Sequence, residues 1–183
     1  MAVPFLVGIV AVLCGVVLWR LGSAWWTYRG RRVVTCPETR NPAGVTVDSL
    51  HAMATALGRP QLRLESCSRW PEKAGCGQEC LSEIAESLES CLVRNILLEW
   101  YVGKACVSCE LPIGEIPLVG AKPAVLCADG RSMEWSEIPA ESLQETLLEA
   151  RPICFACHTA RRMLREHREL LSGLPESTVR PAH

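Results

Sequence analysis

Aromatic rings are scarce in this 183-residue chain, where two Phe and two Tyr stand beside six Trp. Packing therefore falls to aliphatic side chains, and a core of stacked Phe and Tyr is excluded. A dominant sign of charge is missing too. Nineteen basic residues meet 20 acidic ones, a net charge of −1, so no global field draws the chain to nucleic acid. Histidine is limited to His51, His158, His167 and His183, widely scattered. A nucleophilic side chain needs a positioned base, and no G-x-S-x-G, Walker or dinucleotide-binding glycine pattern occurs. These absences argue against an enzyme, and they indicate no small-molecule substrate. A Met-rich stretch or His-rich tract, which would suit a carrier of exchangeable metal, is also lacking.

Cysteine is what the chain holds in excess, with 11. Cys106-Val107-Ser108-Cys109 and Cys154-Phe155-Ala156-Cys157 are two C-x-x-C pairs. Zinc takes four thiolate or imidazole ligands in a tetrahedron, and paired C-x-x-C turns are a common supply of them. These four cysteines are the predicted zinc ligands. Cys36, Cys67, Cys76 and Cys80 form a looser second set, in which the i, i+4 spacing of Cys76 and Cys80 puts both on one helical face. That set suits a second zinc or an iron–sulfur cluster. Cys91 is expected as a packed thiol on a helix.

The N-terminus is different in kind. No side-chain charge occurs from Ala2 to Trp19, and Phe5 to Leu18 is almost wholly aliphatic. Such a run approaches the hydrocarbon thickness of a bilayer, roughly 30 Å. Trp19, Trp25, Trp26 and Tyr28 suit an interfacial belt, while Arg20, Arg29, Arg31 and Arg32 favour retention on the cytoplasmic side. The expectation is a single-pass anchor with residues 2–28 in lipid and the rest in the cytoplasm. There thiols stay reduced and bind metal rather than pair as disulfides. The competing reading is a cleaved signal peptide, with Gly22-Ser23-Ala24 as its small-residue site.

Beyond the anchor the pattern reads as α+β: short hairpins and helices in small metal-stapled subdomains. Strands are expected at Val33–Cys36, Val45–Val47 and Leu62–Leu64, with a helix capped by Asp48 running to Leu57. Leu81, Ile84, Leu88, Leu92 and Ile96 recur at three- and four-residue steps, predicting one long helix over 78–102. Asp129-Gly130 between two apolar runs predicts a hairpin. A helix over Glu141–Ala150 ended by Pro152, and a last helix from about Cys154 to Leu171, complete the set. The resulting division is 1–28 anchor, 29–102 first cysteine-rich subdomain with the long helix, 103–172 zinc subdomain and 173–183 flexible tail. Arg151, Arg161, Arg162, Arg165 and Arg168 cluster near the last helix, but Glu166 and Glu169 intervene, so an ion-paired solvated face is expected.

A cysteine knuckle, a hairpin, and a second cysteine pair entering a helix resemble the treble-clef class of zinc fingers over residues 104–170. The resemblance implies zinc at Cys106, Cys109, Cys154 and Cys157; the helix at 141–150 departs from the minimal pattern. Cys67-Ser68-Arg69-Trp70-Pro71-Glu72 followed by Cys76 and Cys80 resembles membrane-anchored, cysteine-rich bacterial proteins, and implies no activity. One motif competes for the same atoms. Cys154-Phe155-Ala156-Cys157-His158 matches the c-type haem attachment pattern, with His158 as axial ligand and Met163 or His167 opposite. Haem attachment belongs to the exported side, against the arginine bias, and leaves Cys106 and Cys109 without a role. His158 is otherwise expected as an ordinary helix residue or as a hydrogen-bond partner to a metal-bound sulfur. The functional expectation is a zinc-stabilised accessory or binding protein with a protein partner in a membrane complex. An electron carrier and a metal chaperone or sensor are the alternatives.

Overall fold

A computed structural model describes residues 2–167 apart from 71, 73, 74 and 118, with the side chains of 2 and 3 also left aside. The predicted tail and the end of the last helix lie outside the described residues. Two compact units are present. One comprises Met1–Glu99 with Pro139–Leu143, the other Trp100–Ile138 with Gln144–His183.

The first unit opens with α1 (Ala2–Tyr28), a continuous helix through Gly22-Ser23-Ala24. Its stretch Pro4–Tyr28 is long and apolar enough to cross a membrane. After it come β1 (Arg31–Thr35), β2 (Pro42–Val47), α2 (Ser49–Ala54), β3 (Leu64–Cys67) and α3 (Leu81–Glu86). The three strands form one antiparallel sheet in the order β1-β2-β3. Its pleat sends alternate residues inward: Arg32 and Val34 from β1, then Ala43, Val45 and Val47 from β2. Ile84 of α3, Leu64, Cys80 and Cys91 close this core, with Tyr28, Leu62 and Trp70 packed at its margin. Burying each such valine or isoleucine contributes roughly 1.5–3 kcal/mol.

Arg32 is wholly buried, although the sequence offers it as one of four basic residues flanking the anchor. Its guanidinium donates to the carbonyl oxygens of Thr27 (2.6 Å), Tyr28 (2.7 Å) and Gly30 (3.3 Å). The last carbonyls of a helix have no partners inside it, so a cation there satisfies them and matches the negative end of the helix dipole. Arg29 instead lies over the rings of Trp26 and Trp25, 3.8 and 4.8 Å from their centroids.

The long helix predicted over 78–102 is two helices, α3 and α4 (Val93–Tyr101). Ser87 leaves the helical region at φ −129°, ψ 52°. β1 then captures the chain. The Val33 N–H donates to the Cys91 carbonyl at 2.8 Å, and Leu92 bridges to Arg32. An exposed strand edge offers unpaired donors and acceptors, and here it outcompetes the heptad-like spacing. Cys91 is thus a buried thiol in a turn rather than on a helix, and burial pushes its pKa up. β3 also begins two residues later than expected, and α2 stops at Ala54, where the Thr55 hydroxyl donates to the His51 carbonyl.

In the second unit, β4 (Ala124–Leu126) and β5 (Ser132–Met133) make the hairpin predicted from Asp129-Gly130, with Gly130 at φ +81°. Following α5 (Leu143–Glu149), a third strand, β6 (Arg151–Ile153), pairs with β4 on its other side. The sequence assigns Pro152 only the end of a helix. On an edge strand, however, its missing N–H costs no ladder bond. The chain ends its described part in α6 (Phe155–Glu166). Tyr101 braces the sheet, its hydroxyl donating to the Ala124 carbonyl at 2.7 Å while its ring stacks on Trp135 at 5.8 Å.

A 3-10 turn, Ala140–Ser142, belongs to the first unit and lies over Gly44. A Cβ at position 44 would come within 2.8 Å of both the Ala140 Cβ and a Glu141 carboxylate oxygen. The glutamate can swing away, but a methyl fixed to the backbone cannot. Gly44→Ala is expected to lower stability by about 1–3 kcal/mol through overpacking, readable as a fall in the denaturation midpoint with an unchanged denaturant slope. Gly77→Ala, whose nearest atom is a flexible Glu79 carbon at 3.9 Å, serves as the control.

Candidate metal centre

Cys106 and Cys109 sit on a knuckle closed by its own backbone. The Cys106 N–H donates to the Leu111 carbonyl (2.9 Å), and the Glu110 N–H returns to the Cys106 carbonyl (2.8 Å). Glu110 occupies the left-handed region at φ +60° to make the turn. β6 then fixes the knuckle in place, since the Val107 N–H donates to the Pro152 carbonyl at 2.9 Å. The same strand leads directly to Cys154, the N-cap of α6, and Cys157 lies in the first turn of that helix. The strand that sequence reading missed is what carries the second cysteine pair to the first.

The four sulfurs all lie within 4.8 Å of one another. Cys109 Sγ and Cys154 Sγ are 3.8 Å apart. A Zn–S bond of about 2.3 Å sets the edge of a sulfur tetrahedron at about 3.8 Å, so this pair already has the separation that shared ligation requires. The cysteines that the sequence paired at a distance are therefore brought together as a set able to hold a metal ion.

Electrostatics at the set are uneven. Burial opposes ionisation of Cys106, but the backbone N–H groups of Cys154, Ser108 and Cys109 outweigh it and bring the thiol down to about 6. Two of these contacts measure 3.3 Å from the Cys154 N–H and 3.4 Å from the Ser108 N–H. Cys157 goes the other way, pushed up to about 12 by burial and then by the Cys154, Cys109 and Cys106 sulfurs. At Cys109 the Leu111 N–H favours the thiolate, yet the neighbouring Cys106 sulfur and burial leave its pKa raised. Crowded sulfurs cannot all ionise without a cation among them. The positive end of the 12-residue α6 lies on the side of the pair it carries and favours anionic sulfur there.

His158 follows the pair and is buried at 4% exposure. Its Nδ1 is 2.9 Å from the Ser132 hydroxyl, and its Nε2 is 3.7 Å from a Glu134 carboxylate oxygen. It thereby locks α6 onto β5. Further along α6, Arg162 pairs with Glu166 and Glu134, and Arg165 donates to the Ser132 hydroxyl, the ion-paired face that the charge pattern predicts.

The upstream set is arranged differently. Among the described residues, only the Cys106 set brings three or more metal-ligating atoms within 4.8 Å of one another. Cys36, Cys67, Cys76 and Cys80 nevertheless line a single cavity of about 90 Å³ in the first unit. Comparison of the chain with protein-family models, with curated proteins and with solved structures found no match.

Because Cys109 and Cys157 hold their protons above neutral pH while Cys106 titrates near 6, metal must displace protons to bind. Zinc added to metal-free protein at pH 7 is expected to release protons, with Cys109 and Cys157 among their sources and Cys106 contributing little. Affinity should fall steeply as pH drops through 6, where the Cys106 thiolate is lost as well. Proton release read with an indicator dye in weak buffer, beside a zinc competition titration across pH, checks both.

Proposed function

We propose that the chain is a single-span membrane protein whose cytoplasmic part is stabilised by structural zinc and acts by binding a protein partner, as an accessory subunit of a membrane complex. The observation that carries the zinc is the convergence of Cys106, Cys109, Cys154 and Cys157 to within 4.8 Å. Four protein sulfurs fill a tetrahedron and leave no open position for water or substrate, which is the pattern of structural rather than catalytic zinc. The order of knuckle, β4–β5 hairpin and cysteine-bearing α6 supports a treble-clef-like module, with α5 and β6 inserted before the last pair.

The anchor reading is supported by α1, whose apolar stretch of 25 residues measures about 38 Å at 1.5 Å per residue. The aromatic and arginine belt at its end favours the cytoplasmic side for the residues beyond it. Haem at Cys154-Phe155-Ala156-Cys157-His158 is disfavoured by two observations. Bonding both sulfurs to a porphyrin would dismantle the four-cysteine set, and the His158 imidazole is buried against Ser132.

The test is metal analysis and a visible spectrum of the full chain, purified from membranes in detergent. Zinc without a visible band is expected, and a strong chelator should then abolish the cooperative thermal transition followed by circular dichroism. Iron with a Soret band overturns the reading in favour of an electron carrier, and reverses the topology too. Native electrophoresis of solubilised membranes addresses the partner: migration well above the size of the lone chain is expected, and migration as the lone chain sinks the accessory-subunit reading.

A further inference from the structure

The first unit contains a second knuckle with the same hydrogen-bond frame as the one at Cys106. The Cys36 N–H donates to the Asn41 carbonyl (2.9 Å), and the Arg40 N–H returns to the Cys36 carbonyl (2.7 Å). Arg40 turns the chain at φ +55°, as Glu110 does at +60°. Thr39 stands where the other knuckle has its second cysteine. Its hydroxyl and backbone N–H, set against a smaller burial effect, hold the Cys36 thiol below its ordinary pKa. A frame that presents a metal-ligating sulfur in one unit is thus repeated in the other, with a single cysteine on it.

Three further cysteines face this one. Cys67 ends β3, where the Arg69 N–H reaches its sulfur at 3.5 Å, an echo of the Ser108 contact to Cys106. Cys76 and Cys80 flank a turn made by Gln78 at φ +56°, and the Gln78 side chain accepts from the Leu64 N–H at 2.9 Å, pinning that turn to the start of β3. Glu83 of α3 accepts from the Thr35 N–H at 3.0 Å, one residue before Cys36. All four cysteines line the same cavity of about 90 Å³. They are also electrostatically close: burial, then Cys67, Cys76 and Cys36, push the Cys80 thiol up to about 11.

The cavity lining asks for a cation. Glu38 and Glu79 add two carboxylates to the four thiols, against the lone guanidinium of Arg69. Trp70 lines it as well, and its Nε1–H is buried with no acceptor. A metal-bound thiolate accepts hydrogen bonds far better than a thiol does, and neighbouring N–H donors are the usual partners of such sulfurs. Each cysteine has a single side-chain torsion with three staggered wells, so each sulfur has three directions open to it on its own backbone.

We propose that Cys36, Cys67, Cys76 and Cys80 form a second tetrathiolate zinc site, housed in the first unit and independent of the Cys106 set. Four soft sulfurs in a tetrahedron suit zinc or an iron–sulfur cluster; the knuckle frame shared with Cys106 favours the mononuclear ion. Loading converts four thiols to thiolates and releases their protons to solvent.

The experiment is a zinc, iron and acid-labile sulfide count on the full chain in detergent, with each cysteine set altered in turn. Wild type is expected to carry about two zinc ions, Cys67→Ser with Cys80→Ser about one, and Cys109→Ser with Cys154→Ser about one. Should a double variant fail to fold, wild type alone decides, through alkylation of native protein mapped by peptide mass spectrometry. Cys36, Cys67, Cys76 and Cys80 are expected to be protected until a chelator is added. About one zinc ion per wild-type chain, with these four cysteines alkylated equally fast before and after chelation, overturns the second site and leaves the first standing. Iron with sulfide lost on altering Cys67 and Cys80 overturns zinc in favour of a cluster. A wild-type chain without any zinc removes both sites.

Discussion

Like-charge repulsion among sulfurs governs this protein. Four thiol groups gathered within 4.8 Å are tolerable only while most keep their protons or while a cation sits among them. The second unit meets that constraint with backbone. N–H groups from both arms of the site aim at Cys106, so one sulfur ionises readily, while Cys157 resists. One of this unit's buried clusters is Cys106, Ala124, Leu126 and Ile153, with Ile113, Cys154 and Cys157 packed beside them and Cys109 exposed. In a domain of this size a core alone rarely suffices, and here Cys106 belongs both to the buried cluster and to the four-cysteine set.

How far this was legible from sequence depends on the range of the interaction involved. The C-x-x-C pairs, the Asp48 cap and the Asp129-Gly130 hairpin are local signals, and each appears where its spacing predicts. The break between α3 and α4 was illegible because the leucine spacing continues straight through it. What interrupts the helix is the edge of β1, some 60 residues upstream, and no window of local sequence contains that edge. β6 escaped notice for a related reason. A three-residue strand with proline at its centre has no periodicity to read, and only its pairing with β4 defines it.

Buried polar residues were the other blind spot. From sequence Arg32 is a basic flank of the anchor and His158 an ordinary helix residue, yet each is buried and each fastens one element to another: α1 to β1, and α6 to β5. A signal for Arg32 existed in its place within β1, since it shares the inward parity of Val34. For His158, the helical register that puts Cys154 and Cys157 toward the knuckle carries the next residue toward the hairpin. In both cases a polar group is buried because it satisfies backbone or hydroxyl partners that would otherwise lack them.

The contact between Gly44 and the Ala140 turn has a consequence for the order of synthesis. The first unit is not contiguous in the chain: its sheet is covered by residues 139–143, which leave the ribosome long after β1, β2 and β3. Domains that fold as they emerge do so only once their last segment is available. The early sheet must therefore wait, with one face uncovered, until most of the second unit has been translated. Fragments that stop after Glu99 would leave the surface around Gly44 permanently bare. The boundary suggested by compactness is, for the translating chain, no place to stop.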